Sequence, residues 1–157
     1  MHAAFFYGTL MSPDVRSRVL CGPYATEETV KDKFATLRFR PAVLKGHRRF
    51  ALKNLVYPGV VRTDRPEDRV IGILCEGLND RDVKLLDEFE GDEYERTTVT
   101  VYPTTNTNDA LEEEEEAGGV DCQVYIWTAG DHHLEAHDWE LDGFVARKQA
   151  IWLQELY

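Results

Sequence analysis

Tyr94-Glu95-Arg96-Thr97-Thr98-Val99-Thr100-Val101-Tyr102 is dense in β-branched and aromatic residues, and Cys122-Gln123-Val124-Tyr125-Ile126-Trp127 continues the same alternation further along the chain. Residues of these types fit a pleated, half-buried surface, so the two segments predict an antiparallel pair. Between them, Asn106 to Gly119 is of low complexity, and Glu112 to Glu116 form an unbroken acidic run. Like charges repel there and no apolar face can form, which predicts an extended, acidic hairpin loop. Further strands are predicted at Ala3–Tyr7, Phe34–Phe39, Arg49–Leu52, Gly59–Arg62 and Val70–Leu78, the last as a run buried on both faces.

Three helices have readable ends. Ser12-Pro13-Asp14 offers a capping hydroxyl, a proline at the first helical position and an acid in the first turn, ahead of Val15, Val19 and Leu20. Asn79 can cap a second helix whose apolar positions are Val83, Leu85, Leu86 and Phe89, with Gly91 as its left-handed stop. A third is expected from about Leu141 to Leu156, with Phe144, Val145, Ile151 and Trp152 as its apolar members. Strands outnumber helices without regular alternation, so the fold class is α+β, built around a mixed or barrel-like sheet.

Outward from the elements, the whole chain sets bounds. At 157 residues it fits one domain, 1–157, with a sizeable core. Its net charge of -11 opposes binding to nucleic acid, and the basic cluster Lys45 to Arg49 with Lys53 reads as a solvated edge. Three cysteines, Cys21, Cys75 and Cys122, lie far apart without CxxC spacing, as free thiols in a reducing compartment do. No leader pattern and no bilayer-length apolar run is apparent, so a soluble, cytoplasmic protein with no membrane partner is expected.

Two features carry chemistry. In Leu85-Leu86-Asp87-Glu88-Phe89-Glu90-Gly91, at about 100° per residue, Glu90 projects between Val83 and Leu86 while Glu88 points to the opposite side. Asp87 falls at the edge of the apolar arc. A carboxylate aimed inward loses hydration, and at a helix C-terminus it also meets the negative end of the dipole; both raise its pKa. Such a glutamate is a competent general base and acid. An end-of-helix carboxylate paired with an arginine such as Arg96 fits the same periodicity equally well. The second feature is Phe5-Phe6-Tyr7-Gly8-Thr9-Leu10, a strand meeting a glycine shortly before the helix start at Ser12. Glycine allows close approach to the backbone, and amides at such a turn can hold an anion, although most turns of this kind bind nothing.

Phe6-Tyr7-Gly8-Thr9-Leu10, then Tyr57-Pro58-Gly59-Val60-Val61 and Gly72-Ile73-Leu74, then Leu86-Asp87-Glu88-Phe89-Glu90-Gly91 with Tyr94-Glu95-Arg96, and finally Val124-Tyr125-Ile126-Trp127 follow one another in this order. Together they resemble the γ-glutamylcyclotransferase-like superfamily, in particular its plant and fungal branch named for avirulence-induced genes. The resemblance implies a small closed mixed β-barrel flanked by a few helices. It implies that the loop Tyr7, Gly8, Thr9, Leu10, Met11 and Ser12 binds the substrate's α-carboxylate through backbone amides, and that Glu90 is catalytic. It also implies intramolecular acyl transfer: the α-amine of a small γ-glutamyl substrate attacks its own γ-carbonyl, releasing 5-oxoproline and an amine. That reaction requires no metal and no cofactor. Tyr7, Tyr94 and Tyr125 are expected to line the pocket, although Tyr94 and Tyr125 also fit a reading as buried sheet residues. A monomer or weak dimer is expected.

Three rivals stand beside this reading. A cysteine hydrolase would pair Cys21, Cys75 or Cys122 with His132, His133 or His137, but no cysteine sits at a strand-to-helix turn. His132-His133-Leu134-Glu135-Ala136-His137 has two histidines four apart but lacks the HExxH order of a helical zinc site. The third is a catalytically silent small-molecule binding or regulatory protein that keeps the pocket without turnover.

Overall fold

The structure is a computed structural model that describes residues 1–104 and 118–155. The acidic segment expected at 106–119 lies outside the described residues except for its last two glycines. Seven strands are described: β1 (His2–Phe6), β2 (Arg38–Lys45), β3 (His47–Ala51), β4 (Pro58–Arg62), β5 (Arg69–Leu78), β6 (Tyr94–Pro103) and β7 (Val120–Trp127). Five of them close a barrel in the order β1-β5-β2-β6-β7. Every neighbouring pair is antiparallel except the closing one, where β1 meets β7 in parallel at Ala4 and Gln123. The mixed barrel anticipated above is therefore present, as is the β6–β7 pair, in register from Tyr94 opposite Trp127 to Val101 opposite Val120. Strands β3 and β4 form a separate two-stranded sheet.

Alternation along β1 sorts its side chains into two cores. Phe5, followed by Tyr7, points into the barrel with Leu44, Val60, Leu74, Val101 and Val124. Ala4 and Phe6 face outward to a second cluster, which holds Val15, Val19, Leu78, Val83, Leu86 and Tyr125 beneath the helices. Each large apolar side chain removed from water in this way contributes about 1.5–3 kcal/mol. Strand β5 has no exposed residue; Val70, Gly72 and Leu74 are fully buried, whereas Ile71 and Ile73 are only partly covered, so burial on its two faces is unequal.

The helices are α1 (Pro13–Cys21), α2 (Glu27–Ala35), α3 (Asp80–Glu90), α4 (Leu141–Arg147) and α5 (Gln149–Glu155). Helix α1 begins at Pro13 as expected, but the Ser12 hydroxyl makes no capping bond and engages Gln149 instead. Helix α2 overturns the expected strand at Phe34–Phe39. Thr26 caps it by accepting from the Thr29 amide at 3.1 Å, and Glu27 and Glu28 complement its first turn. It buries no residue fully, so no apolar stripe announces it; Phe34 and Phe39, read as one strand, belong to the end of α2 and to β2, with rings 5.5 Å apart. The single C-terminal helix resolves into α4 and α5, separated at Lys148, whose backbone leaves helical geometry (φ -126°, ψ -25°). Immediately after the break, Gln149 reaches back to Ser12 and, at 3.1 Å, to Asp14.

Candidate functional site

Asn79 and Asp82 make a full capping box at the start of α3: the Asp82 amide donates to Asn79 Oδ1 at 2.8 Å and the Asn79 amide to Asp82 Oδ2 at 3.0 Å. Val83 and Leu86 are buried against the barrel, which fixes the rotation of the helix. Gly91 ends it at a φ of 75° that side chains rarely adopt. Glu90, the last helical residue, is thereby turned toward the barrel end, while Glu88 is exposed.

Glu90 lines a cavity of about 280 Å³ together with Tyr7, Gly8, Thr9, Leu10, Tyr94 and Tyr125. Burial alone pushes its carboxyl up to about 8. No ion pair or hydrogen bond compensates it among the described residues. Arg96, which could have neutralised it, lies 2.9 Å from Asp87 Oδ1 instead, and the same oxygen accepts from the Tyr125 hydroxyl at 2.7 Å. The choice between an arginine-paired and an unpaired Glu90 is thus resolved in favour of the unpaired one.

The tyrosines around Glu90 are anchored through their hydroxyls. Tyr7 donates to the Tyr125 carbonyl at 2.6 Å and Tyr94 to the Pro58 carbonyl at 2.7 Å. Burial first, and in each case the neighbouring Glu90 charge as a further cause, raises the pKa of Tyr7 and of Tyr94; for Tyr125 burial and the bond to Asp87 lead. All three remain neutral phenols at physiological pH. Tyr94 and Tyr125 prove to be both satisfied sheet residues and pocket walls.

From Gly8 the chain enters a one-turn 3-10 helix, Thr9–Met11. The turn consumes the amides of Met11 (to the Gly8 carbonyl, 2.9 Å) and Ser12 (to the Thr9 carbonyl, 3.0 Å) and leaves those of Gly8, Thr9 and Leu10 outside its hydrogen bonding. Gly8 is required by space: a Cβ there would lie 2.9 Å from Pro58 Cδ. Of the six loop residues singled out from sequence, Tyr7 to Leu10 line the cavity. Met11 and Ser12 do not, because the turn directs Met11 to a surface groove and Ser12 to Gln149.

Sequence reading missed Tyr57, Pro58, Glu93 and Trp152 as lining residues. Pro58 is the first residue of β4 and Tyr57 immediately precedes it in the β3–β4 connection, and Glu93 accepts from the Tyr57 hydroxyl at 3.5 Å. Trp152 read as an ordinary core residue of the last helix; its ring meets Phe89 edge-on at 5.8 Å and Phe144 at 5.3 Å. A larger groove of about 1130 Å³ holds Met11, Arg48, Arg49, Asp138 and Trp139, but Glu90 is not part of it. Burial pushes the Cys75 and Cys122 thiols up to about 12, and no cysteine reaches the cavity. His132 and His133 stack on each other at 4.0 Å, and the described residues contain no group of side chains arranged to hold a metal.

The model of the family described as gamma-glutamyl cyclotransferase, AIG2-like, matches residues 4–141. Protein AIG2 C of Arabidopsis thaliana is 30% identical over 141 residues, 90% of this chain and 70% of that protein. AIG2-like protein D from the same plant is 30% identical over 132 residues, 83% of this chain and 70% of its own. Among solved structures, the solution structure of an Arabidopsis thaliana protein superposes with a TM-score of 0.62 at 24% identity, covering 98% of this chain and 87% of that one. A structure described as a gamma-glutamyl cyclotransferase gives 0.53 at 16% identity, over 81% and 66% of the two chains, and so shares the fold. By its sequence and by its closed barrel, the chain belongs to the AIG2-like γ-glutamyl cyclotransferase family.

Proposed function

We propose that the protein is a γ-glutamyl cyclotransferase with Glu90 as its general base and acid. The observation that carries this reading is a single unpaired carboxylate, pushed up to about 8 by burial, in the cavity that the Gly8–Leu10 turn also lines. The substrate's α-ammonium is itself a weak acid, so a carboxylate whose pKa is raised takes its proton at a smaller cost than an ordinary glutamate would.

In the reaction the substrate's α-carboxylate is held by the amides of Gly8, Thr9 and Leu10, which folds the γ-glutamyl group back on itself. Glu90 takes a proton from the α-ammonium. The freed nitrogen attacks the γ-carbonyl carbon, forming the N–C bond of the five-membered ring. Glu90 then delivers its proton to the leaving nitrogen, the original C–N bond breaks, and the ring nitrogen sheds its second proton. In sum the α-ammonium loses two protons and the leaving amine gains two, giving 5-oxoproline and a free ammonium. Holding nucleophile and carbonyl in one small cavity makes the attack intramolecular, which supplies much of the rate. Tyr7, Tyr94 and Tyr125 stay neutral and shape the walls.

Release of 5-oxoproline from a panel of γ-glutamyl amino acids, peptides and amines tests the reading. Glu90→Gln should lower turnover by about 10²–10⁴-fold, the usual contribution of general acid–base catalysis, while the variant still binds substrate. Equal activity of the two proteins would remove Glu90 from the mechanism. Binding by both without any 5-oxoproline would instead identify a silent binding protein.

A further inference from the structure

Behind the substrate loop lie two arginines whose contacts go to its carbonyls. Arg16, on α1, is 7% exposed; its NH1 group donates to the Leu10 carbonyl at 3.2 Å and the Met11 carbonyl at 2.9 Å. The guanidinium carbon sits 4.5 Å over the Phe39 ring, Nε has no partner, and no carboxylate among the described residues pairs with it. Arg49, on β3, donates from NH1 to the Tyr7 carbonyl at 2.7 Å, while its other nitrogens hold Asp138 at 2.7 and 3.1 Å. A guanidinium cannot shed its charge, and one buried without a counter-ion is costly unless something offsets it.

The bonds trace a pattern. Tyr7 C=O and Gly8 N–H belong to one peptide group, so Arg49 polarises the Gly8 amide directly. Leu10 C=O shares a peptide with Met11 N–H, which donates to Gly8 C=O, whose own peptide carries Thr9 N–H. Met11 C=O shares one with Ser12 N–H, which donates to Thr9 C=O, whose peptide carries Leu10 N–H. Each of the three amides the turn leaves over therefore ends a hydrogen-bond relay that starts at an arginine. Chains of this kind polarise one another, each bond strengthening the next by perhaps 10–30%.

We infer that Arg16 and Arg49 are positioning residues for substrate binding, which fix the Tyr7–Ser12 turn and deliver their positive charge through its peptide groups to the amides that receive the substrate's α-carboxylate. The inference rests on the assignment of that carboxylate to Gly8–Leu10 made above. It accounts for Arg16 without a counter-ion: the missing negative charge arrives with the substrate, on the far side of the turn. It also ranks the two residues. Asp138 already neutralises Arg49, and Arg49 feeds one amide, whereas Arg16 is uncompensated and feeds two.

The test compares binding of γ-glutamyl-n-butylamide with that of its α-carboxamide counterpart, by calorimetry in the Glu90→Gln background so that neither probe is consumed. Arg16→Gln should shrink the preference for the carboxylate at least tenfold, Arg49→Gln by about threefold, and Arg16→Lys, which keeps the charge, by less than Arg16→Gln. A merely structural role would weaken both probes alike and leave the ratio unmoved. If Arg16→Gln does not fold, Arg49→Gln and Arg16→Lys carry the test. A starting protein with no preference for the carboxylate, or a preference that neither arginine changes, overturns the inference. Should the preference fall as stated while no γ-glutamyl compound ever yields 5-oxoproline, the cyclotransferase reading fails and the arginine relay stands.

Discussion

On one wall of the cavity, the turn from Tyr7 to Ser12 is over-determined: two arginines hold its carbonyls, its own 3-10 bonds close it, and Gln149 ties its end to α5. On another wall, Glu90 ends a well-capped helix and has no compensating partner among the described residues. Asp87, one turn earlier on the same helix, has both a tyrosine hydroxyl and an arginine. On the proposed mechanism the difference separates two jobs. A binding wall gains from rigidity, because a preformed set of donors costs no reorganisation when the anion arrives. A proton-transfer wall gains from being left unsatisfied, because each hydrogen bond or cation added to Glu90 would pull its pKa back down and make it a weaker base.

The largest effect expected from this contrast is in the pH profile. With Glu90 raised to about 8, the base form of the free enzyme falls about tenfold for each pH unit below that value. On the proposed mechanism kcat/KM should therefore drop about fiftyfold between pH 8, where half of Glu90 is ionised, and pH 6, and decline again above the pKa of the substrate's ammonium. A profile level down to pH 5 would show that the base is an ordinary solvated carboxylate and that the two walls do not differ as argued.

On the other wall, Gly8→Ala attacks the rigid turn. The new methyl would sit 2.9 Å from Pro58 Cδ and 3.0 Å from Cγ, and Pro58 cannot move freely because its carbonyl accepts from Tyr94. Overpacking of this sort costs about 1–3 kcal/mol, and a displacement of the turn by even 1 Å can cost on the order of 10²-fold in rate. The expected result is a folded protein with a lower Tm whose loss falls mainly on substrate binding. An unchanged KM would mean that the turn does not have to be rigid.

How much of this contrast was legible in the sequence differs between the walls. Helical periodicity places Glu90 inward and Glu88 outward because α3 is long, capped at both ends and strongly two-faced, so its rotation follows from Val83 and Leu86 alone. The turn gave only a glycine and a helix start. What makes it a built site is tertiary: Pro58 from β4 excludes a side chain at Gly8, and Arg16 and Arg49 come from α1 and from the second sheet. No local pattern announces which carbonyl an arginine will reach. Helix α2 escaped for a related reason, since a helix that buries no residue fully has no apolar stripe to read, and the break at Lys148 coincides with contacts to Ser12 and Asp14 far away in sequence.

Stability gives a way to see the unsatisfied carboxylate without any substrate. A glutamate whose pKa is raised in the folded state favours folding fully below its unfolded value of about 4.5 and loses that contribution as pH rises through about 8. Glu90→Gln is neutral at every pH. It should match the wild type near pH 5 and exceed it at pH 9, by on the order of 2–4 kcal/mol once the partial exposure of the residue is discounted, or roughly 5–15 °C in Tm. Thermal melts at the two pH values decide the matter. A variant that is destabilised at pH 9 would mean that the native carboxylate has a favourable partner.

Asp87→Asn provides the complementary, smallest effect. Asp87 and Arg96 have side chains 41% and 38% exposed, so water screens their pair and its loss should cost less than about 1 kcal/mol. Its consequence for the site is electrostatic. With Asp87 neutral, Arg96 no longer has its nearest carboxylate, and its charge is free to favour the ionised form of Glu90. The acid limb of kcat/KM should then move to lower pH by a fraction of a unit while Tm hardly changes. A limb that stays in place would show that Arg96 is too distant or too hydrated to reach the catalytic wall, leaving desolvation as the sole control on Glu90.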